Sequence, residues 1–561
     1  MNKIPIVIGV TGHRDLRSED IPELEKIIKN KIVKLKDTYS SSPFLMLSSL
    51  AEGADQLCAK IAIELGIELK CPLPRDLESF KEDFKGKALP EFEDYLSHAT
   101  EYFVVPDSEP RDNLNSLKNS LRNDDFYREV RHFGYRQAGI YIASRSHVLL
   151  ALHDGNPPID EGVGTAEAID FKINHNYNNI KGPYFKTSDE GVVMQIKTPR
   201  EKNPNIDDPF KVNILPKKDI MDEILDKTNQ FNKDVDKSPT PSSSRLFDED
   251  IIAKSTDETK VIASLKAYSG KISRKYRDKH ILALKIFSGA AFAILATFMI
   301  YDLLKSNLAI VIYTIIIILG LIYLYIDKGK VHRKYLEYRV LSECLRVQFY
   351  LTLLNIRYDV YEGLTWIQKN DTPWIPIGIK SILIGKEENQ KIDPEDVKKE
   401  WIDGQLSYHQ EKLEETEKQY KLDSTLTNII LAISLSLGLL MLVLEFLDGQ
   451  IVNTPFSIGI FKSFLYVQPN AEYVIRDIFK MSFVSLTALG LFLKNYYGKL
   501  SLKRKIADHE NMINLYTSAK INFEKQGSNK EELLIELAKE EIVENGNWFS
   551  YSKDNKIGID I

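Results

Sequence analysis

Four apolar stretches limit what this chain can fold into: Ile281–Leu304, Leu308–Ile326, Leu426–Leu447 and Val474–Leu493. Each is about 20 residues long, enough at 1.5 Å per residue to cross a hydrocarbon core of roughly 30 Å. The competing reading is a set of buried helices in a large soluble bundle. Such helices usually keep a polar stripe, and Ile310–Tyr325 shows none. The stretches therefore read as four transmembrane helices in two hairpins. The first carries Lys285 near its end, where a lysine can snorkel. The fourth carries Arg476, Asp477 and Lys480, so its usable span starts late.

Flanking charge sets the expected orientation. Lys271, Arg274, Lys275, Arg277 and Lys279 precede the first span, and Lys328, Lys330, Arg333 and Lys334 follow the second. Lys494, Lys499, Lys503, Arg504 and Lys505 follow the fourth, whereas the loop Asp448–Glu472 carries only Lys462. By the positive-inside rule both hairpins keep their ends in the cytoplasm. The first apolar run, Ile4–Val10, is too short for a signal peptide and is broken by Gly12, His13 and Arg14. The expectation is a multi-pass protein of a bacterial inner membrane with both termini cytoplasmic. With 74 basic and 80 acidic residues, net −6, the chain has no nucleic-acid footprint. Cys58, Cys71 and Cys344 are too scattered for a disulfide framework or a zinc site, so no metal is expected.

The N-terminal part has another pattern. Short apolar runs at Ile4–Val10, Phe44–Leu50, Glu68–Leu73, Glu101–Val105 and Ser144–Leu152 alternate with helix-like stretches at Ile21–Lys36, Ala54–Leu65 and Thr165–Asn174. That alternation predicts an α/β Rossmann-like domain with a parallel sheet, and a further strand is expected near Gly191–Lys197. The expected organisation is a head over 1–230, a linker over 231–250 rich in Ser and Pro, and two all-α two-span units over 251–395 and 396–555 with long cytoplasmic helices. The two units look like copies of one plan, and their long helices make a homo-oligomer the expected state.

Three loops of the head carry candidate ligand-binding residues: Gly9, Thr11, Gly12, His13 and Arg14; Ser49, Glu52, Gly53 and Asp55; and Gly162, Gly164, Thr165 and Glu167. Glycines between a strand and a helix expose backbone N–H groups at the helix's positive end, which suits phosphate. Arg14 offers a guanidinium fork. Thr165 can cap or ligate, Glu52 and Glu167 can accept from ribose hydroxyls, and Asp55 more often caps its helix. Asp154 and Gly155 end a strand where a base or ribose could lie. In a doubly wound sheet these loops gather at the carboxyl edge.

These loops resemble those of the SLOG superfamily, Rossmann-like domains related to the cytokinin-activating LOG enzymes and to DNA-processing protein A. The resemblance implies a nucleotide-derived ligand, either cyclic ADP-ribose-like or a cyclic oligonucleotide. It also aligns Arg136 with an arginine that LOG enzymes use beside their substrate. LOG enzymes read Pro-Gly-Gly-x-Gly-Thr-x-x-Glu, whereas here Asp160 and Glu161 precede Gly162, and Glu167 comes one residue early. A carboxylate out of register stabilises an oxocarbenium-like ribose poorly, so binding without catalysis is expected and no catalytic residue is assigned. The C-terminal half resembles SLATT domains (SMODS and SLOG-associating two-transmembrane). The matching residues are Tyr338–Arg346, the series Trp401, Gln405 and Tyr408, and Glu544–Trp548. The pairing implies an antiviral-defence effector that forms pores or disrupts the bilayer, gated by a second messenger from a separately encoded enzyme. The alternative is a membrane-tethered LOG-type nucleoside monophosphate phosphoribohydrolase.

Overall fold

A computed structural model describes residues 2–106, 123–157, 164–174, 191–241, 249–304, 307–327, 329–385, 389–390, 392–447 and 471–553. The chain forms two compact units. The first takes in Met1–Ile272, Glu337–Ile392 and Ala538–Ser550, and the second Ser273–Leu336, Asp393–Leu537 and Tyr551–Ile561.

The first unit is built on a seven-stranded sheet: β1 (Ile6–Gly12), β2 (Phe44–Leu47), β3 (Glu68–Leu73), β4 (Glu101–Val104), β5 (Val148–His153), β6 (Val192–Lys197) and β7 (Val212–Leu215). The order is β4-β3-β2-β1-β5-β6-β7, parallel throughout except for β7, which runs antiparallel to β6. Every residue of β5 is buried, as befits a strand covered on both faces. One face packs against α1 (Ile21–Thr38) and α2 (Ala54–Glu64) through Leu24, Ile28, Ile32, Cys58 and Ile61. The other packs against α3 (Asn123–Arg145) and α4 (Thr165–Asn174) through Ala138, Tyr141, Ile142 and Ile169.

The sheet begins two residues after the expected Ile4 and runs through Gly12, because Thr11 and Gly12 pair with Ala151 and Leu152 of β5. Gly9 and Gly12 thus lie in a strand rather than a turn. The expected strand at Ser144–Leu152 starts only at Val148, since Ser144 and Arg145 close α3. The reason is Lys172, whose buried ammonium donates to the carbonyls of Ala143 at 2.7 Å and Ser146 at 2.6 Å. It satisfies the helix's orphan C-terminal acceptors and sits at the negative end of the dipole.

The rest of the first unit is helical. α5 (Lys218–Asp236) buries Met221, Leu225, Phe231 and Val235, the last two in the stretch expected to be linker. Distant segments lock onto it and onto the sheet. Lys227 pairs with buried Glu337 at 2.9 Å, Trp374 Nε1 donates to Glu337 at 3.1 Å, and the Tyr338 hydroxyl donates to Asp234 at 2.8 Å. Arg145 donates to the Leu383 carbonyl at 3.1 Å, and Ile384 joins the sheet core. The segment Ala538–Ser550 docks by Arg346 to Glu541 at 3.0 Å, Gln368 to Asn545 at 2.9 Å and Arg339 over the Trp548 ring at 3.9 Å. Residues of the Tyr338–Arg346 and Glu544–Trp548 motifs, read as parts of successive repeats, therefore contact each other.

Long helices dominate the remainder: α6 (Asp257–Leu304), α7 (Asn307–Asp327), α8 (Lys330–Leu353), α9 (Gly404–Leu447), α10 (Ala471–Leu500), α11 (Leu502–Glu524) and α12 (Lys530–Ser552). Among the described residues three helices are long and apolar enough to cross a membrane: Asp257–Asp302, Asn307–Asp327 and Pro394–Val443. Their apolar side chains face outward, with Leu308 at 68 %, Leu319 at 60 % and Leu435 at 62 % exposure. A buried-bundle reading would require them inside. Three of the four expected spans are thus shown among the described residues. The fourth stretch begins at Val474, on residues whose side chains lie outside those described, and its helix Ala471–Leu500 is not among the three. The loop Asp448–Glu472 also falls almost wholly outside the described residues.

Within the second unit α9 and α10 close on small and polar residues. Ser434 Oγ lies 2.5 Å from Thr487 Oγ1 and donates to the Phe483 carbonyl, while Gly438 faces the Phe483 ring. Such pairs hold apolar helices together without a hydrophobic driving force. Each hairpin also has a histidine contact between its flanking helices. The rings of His280 and His332 lie 4.2 Å apart, tilted by 32°, and His409 Nδ1 meets His509 Nδ1 at 3.0 Å.

Candidate functional site

β1 pairs with β2 on one side and β5 on the other, so strand order reverses there, and ligands of open α/β sheets bind beyond the strand ends at such a point. A cleft of about 620 Å³ opens at this place. Its sheet-edge wall is Val10, Thr11, Gly12, Arg14, Ser49, Ala51 and Asp55, and Gly164, Thr165 and Ala168 at the start of α4 form a second wall.

Local packing explains several of these positions. A Cβ on Gly12 would lie 2.3 Å from that of Ala54, so this glycine lets α2 begin against the end of β1. Gly53 has φ +88°, and its Cα faces the carbonyls of His13 and Arg14, where a Cβ would come within 2.6 Å. The Ala54 N–H donates to the His13 carbonyl at 3.1 Å, which ties the first two loops together.

The Asp55 carboxyl is buried beside the Ser49 and Ala51 backbone, and the Ser48 hydroxyl donates to the Asp55 backbone carbonyl at 3.3 Å. Burial pushes the carboxyl up to about 7, against the pull of Arg14 and of these neighbours. Raised to this value, the carboxyl is only partly ionised near neutral pH. The Ser49 hydroxyl is also engaged, donating to the Pro72 carbonyl at 2.8 Å.

The structure brings Thr11, Gly12, Arg14, Ser49, Asp55, Gly164 and Thr165 to one cleft. Gly9 lies beneath α3, with Ile142 and Ser146 closing over it. Glu52 points to solvent, Glu167 is buried, and neither these nor Gly53 and Arg136 line the cleft. Gly162 lies outside the described residues.

His13, Asp154 and Gly155 belong to a neighbouring polar hub. Asp154 Oδ1 lies 3.3 Å from His13 Nε2 and 3.5 Å from His153 Nε2, and its Oδ2 accepts from Arg200 at 3.0 Å and Asn203 at 3.1 Å. Against the upward push of burial, the Asn203 amide, the Asn156 N–H and the neighbouring His13 and His153 hold Asp154 down at about 2, and burial lowers His153 to about 4. The three side chains are close enough to suggest a metal site. Hydrogen bonding argues otherwise: the Asp154 N–H donates to His13 Nε2, and the Gly155 N–H to His153 Nδ1. The first lone pair is occupied, and the second bond leaves the proton of neutral His153 on the nitrogen facing Asp154. The hub holds the β5 loop in place.

Sequence reasoning missed the third wall, α3. One face of this helix lines the cleft with Tyr127, Arg128, Arg131, His132, Tyr135, Ala138, Gly139 and Ile142. Their three- and four-residue spacing is the signal that would have found them. Arg131 and the Tyr135 hydroxyl both bind the buried Asp83 carboxylate, which Arg75 also contacts. The Arg14 guanidinium lies 4.8 Å over the Tyr135 ring. No protein-family model and no curated protein matches this chain.

Proposed function

We propose that this chain is a membrane-embedded effector whose head binds a nucleotide-derived second messenger and whose helical part then permeabilises or disrupts the bilayer. One observation carries the reading: a cleft lined by Arg14, Arg128 and Arg131 lies at the strand-order reversal of a Rossmann-like sheet, in a chain with three outward-facing apolar helices. The fourth apolar stretch completes the second hairpin in this reading, and both termini lie on the cytoplasmic side of a bacterial inner membrane. The messenger is of cyclic ADP-ribose or cyclic oligonucleotide type and comes from a separately encoded enzyme. The chain works as a homo-oligomer in an antiviral-defence setting, as the SLOG and SLATT resemblances suggest.

Ligand can bias such a device only by binding the active state more tightly; moving 1:99 to 99:1 takes about 5.5 kcal/mol of differential affinity. α6 supports transmission, since it runs unbroken from Asp257 into the first apolar stretch. The test is dye release from liposomes containing the full chain, with cyclic ADP-ribose or cyclic dinucleotides added. Leakage that depends on one of these ligands is expected; ligand binding without leakage would remove the effector half of the proposal.

A second reading, a LOG-type phosphoribohydrolase, draws on Asp55, a cleft-lining carboxyl raised to about 7 and so able to exchange a proton near neutrality. Incubation with AMP separates the two readings: release of free adenine favours the hydrolase, and tight binding without turnover favours the sensor.

A further inference from the structure

One face of α6 changes character along its length. Lys275, Lys279, Leu282 and Ile286 follow one another at steps of four, three and four residues, so they line one side of the helix. Lys275 and Lys279 are exposed, and Leu282 and Ile286 are 57 % and 60 % exposed. The cationic end of this face runs straight into the apolar end. Lys279 and Lys275 lie about 3 and 9 Å along the axis from Ile281, where the apolar stretch begins. The headgroup layer of one leaflet is about 5–8 Å deep, so both ammonium groups can reach it.

Like charges four residues apart weaken a helix, and the fold does not offset them here. Among the described residues neither lysine meets a carboxylate; Lys279 lies 5.4 Å over the Tyr276 ring. On α9, which also leads into an apolar stretch, the lysines are compensated: Lys412 pairs with Glu415 and Lys418 with Glu414. α8 packs beside α6 in antiparallel register. Ser273 Oγ donates to the Tyr335 carbonyl at 3.1 Å, Lys334 Nζ donates to the Tyr276 hydroxyl at 3.2 Å, and the His280 and His332 rings meet. That register brings Lys330, the exposed first residue of α8, to the level at which the apolar stretch begins. Among the described residues it too has no carboxylate partner.

We propose that Lys275, Lys279 and Lys330, at the base of the first hairpin, hold the phosphate of an anionic phospholipid whose tails lie along Leu282 and Ile286. Three ammonium groups bordering an exposed apolar face suit a ligand that is anionic at one end and hydrocarbon at the other. A free phosphate would leave the apolar part of the face uncovered. The site uses none of the cleft residues, and it rests on the membrane reading of the apolar helices. Each basic residue beside an anionic leaflet strengthens association by about fivefold.

The test is native mass spectrometry of the full chain in neutral detergent, titrated with phosphatidylglycerol, phosphatidylcholine and glycerol 3-phosphate, the last a headgroup phosphate without tails. The variants are Lys275→Gln with Lys279→Gln, and separately Lys275→Gln with Lys330→Gln, which leaves the contact of Lys279 with Tyr276 in place. Lys26→Gln with Lys34→Gln removes the same charge from α1 and is the control. All five lysines are exposed, so the fold should survive, and circular dichroism checks this. The wild type is expected to prefer phosphatidylglycerol to phosphatidylcholine. Each hairpin variant should weaken phosphatidylglycerol by about 25-fold, with phosphatidylcholine and the control unchanged. Equal phosphatidylglycerol affinity in the wild type and both hairpin variants would overturn the site, as would an equal loss in the control. Glycerol 3-phosphate bound as tightly as phosphatidylglycerol would replace the lipid with a free anion. Binding of neither lipid would overturn the site and the membrane reading together, whereas intact phosphatidylcholine binding without the preference would overturn the site alone.

Discussion

Replacing Gly12 with alanine separates two reasons for a glycine at the end of β1. If the residue serves only to admit a ligand, the empty protein will not notice the change. The packing says otherwise. The new Cβ would lie 2.3 Å from the Ala54 Cβ and 3.1 Å from both the Leu152 Cβ and its carbonyl oxygen. Carbon atoms in contact sit about 3.5–4.0 Å apart, so α2 must retreat by an ångström or more. Its start is pinned by the bond from the Ala54 N–H to the His13 carbonyl. Overpacking of this kind costs about 1–3 kcal/mol. The first unit holds about 340 residues, so each kcal/mol lowers Tm by about 1–2 °C, and Gly12→Ala should lower the first unfolding transition by roughly 1–6 °C. Gly164→Ala is the control: among the described residues its Cβ would meet only the Glu167 side chain, at 3.3 Å, and the cost should stay within about 0.5 kcal/mol. Differential scanning fluorimetry of the ligand-free protein measures both. An unchanged transition in Gly12→Ala, accompanied by loss of ligand binding, would refute the packing argument.

Asp55 is held protonated by burial up to about 7, so its contribution to stability is full below its unfolded value near 4 and is lost as pH rises through 7; Asp55→Asn should flatten that decline in denaturation midpoints taken from pH 4 to 8. His153 has the opposite sign: its lowered value contributes stability above about 6.5 that is lost as pH falls through about 4, and His153→Gln should remove this acid-side loss. In the Arg346–Glu541 pair the carboxylate side chain is 2 % exposed. Arg346→Met alone should therefore cost about 3–5 kcal/mol, whereas Arg346→Met with Glu541→Leu should recover most of it in a double-mutant cycle; equal losses in the single and double variants would mean that the charge is not what matters there.

Much of the fold was legible because its signals are local. Glu68–Leu73 and Thr165–Asn174 form the elements expected of them, and Ile21, Ala54 and Phe44 open elements where the apolar alternation placed them. α3 was not legible, because its cleft-facing residues are charged or aromatic rather than an apolar stripe. Its end depends on Lys172, a residue from another helix. The cationic wall of the cleft went unseen with it. Phe231 and Val235 were assigned to a linker because the polar sequence around them outweighs two apolar residues, and only their partners in distant segments, such as Tyr338 and Trp374 against Phe231, show why they are buried. The contacts of Arg339 with Trp548 and of Arg346 with Glu541 join positions about two hundred residues apart, and no periodicity reports such a meeting.

The first unit is assembled from three lengths of polypeptide, the last of them Ala538–Ser550. A ribosome adds about 5–20 residues per second, so the N-terminal sheet is made well before Ile384 of its core, which arrives on the order of ten seconds or more later, and before Ala538–Ser550, which arrives later still. Until then the nascent head has surfaces with nothing to close them, and the hydrophobic helices made in between must be delivered to their destination while it waits. A nonsense codon ahead of Ala538 would therefore damage the same unit that the N-terminal sheet begins.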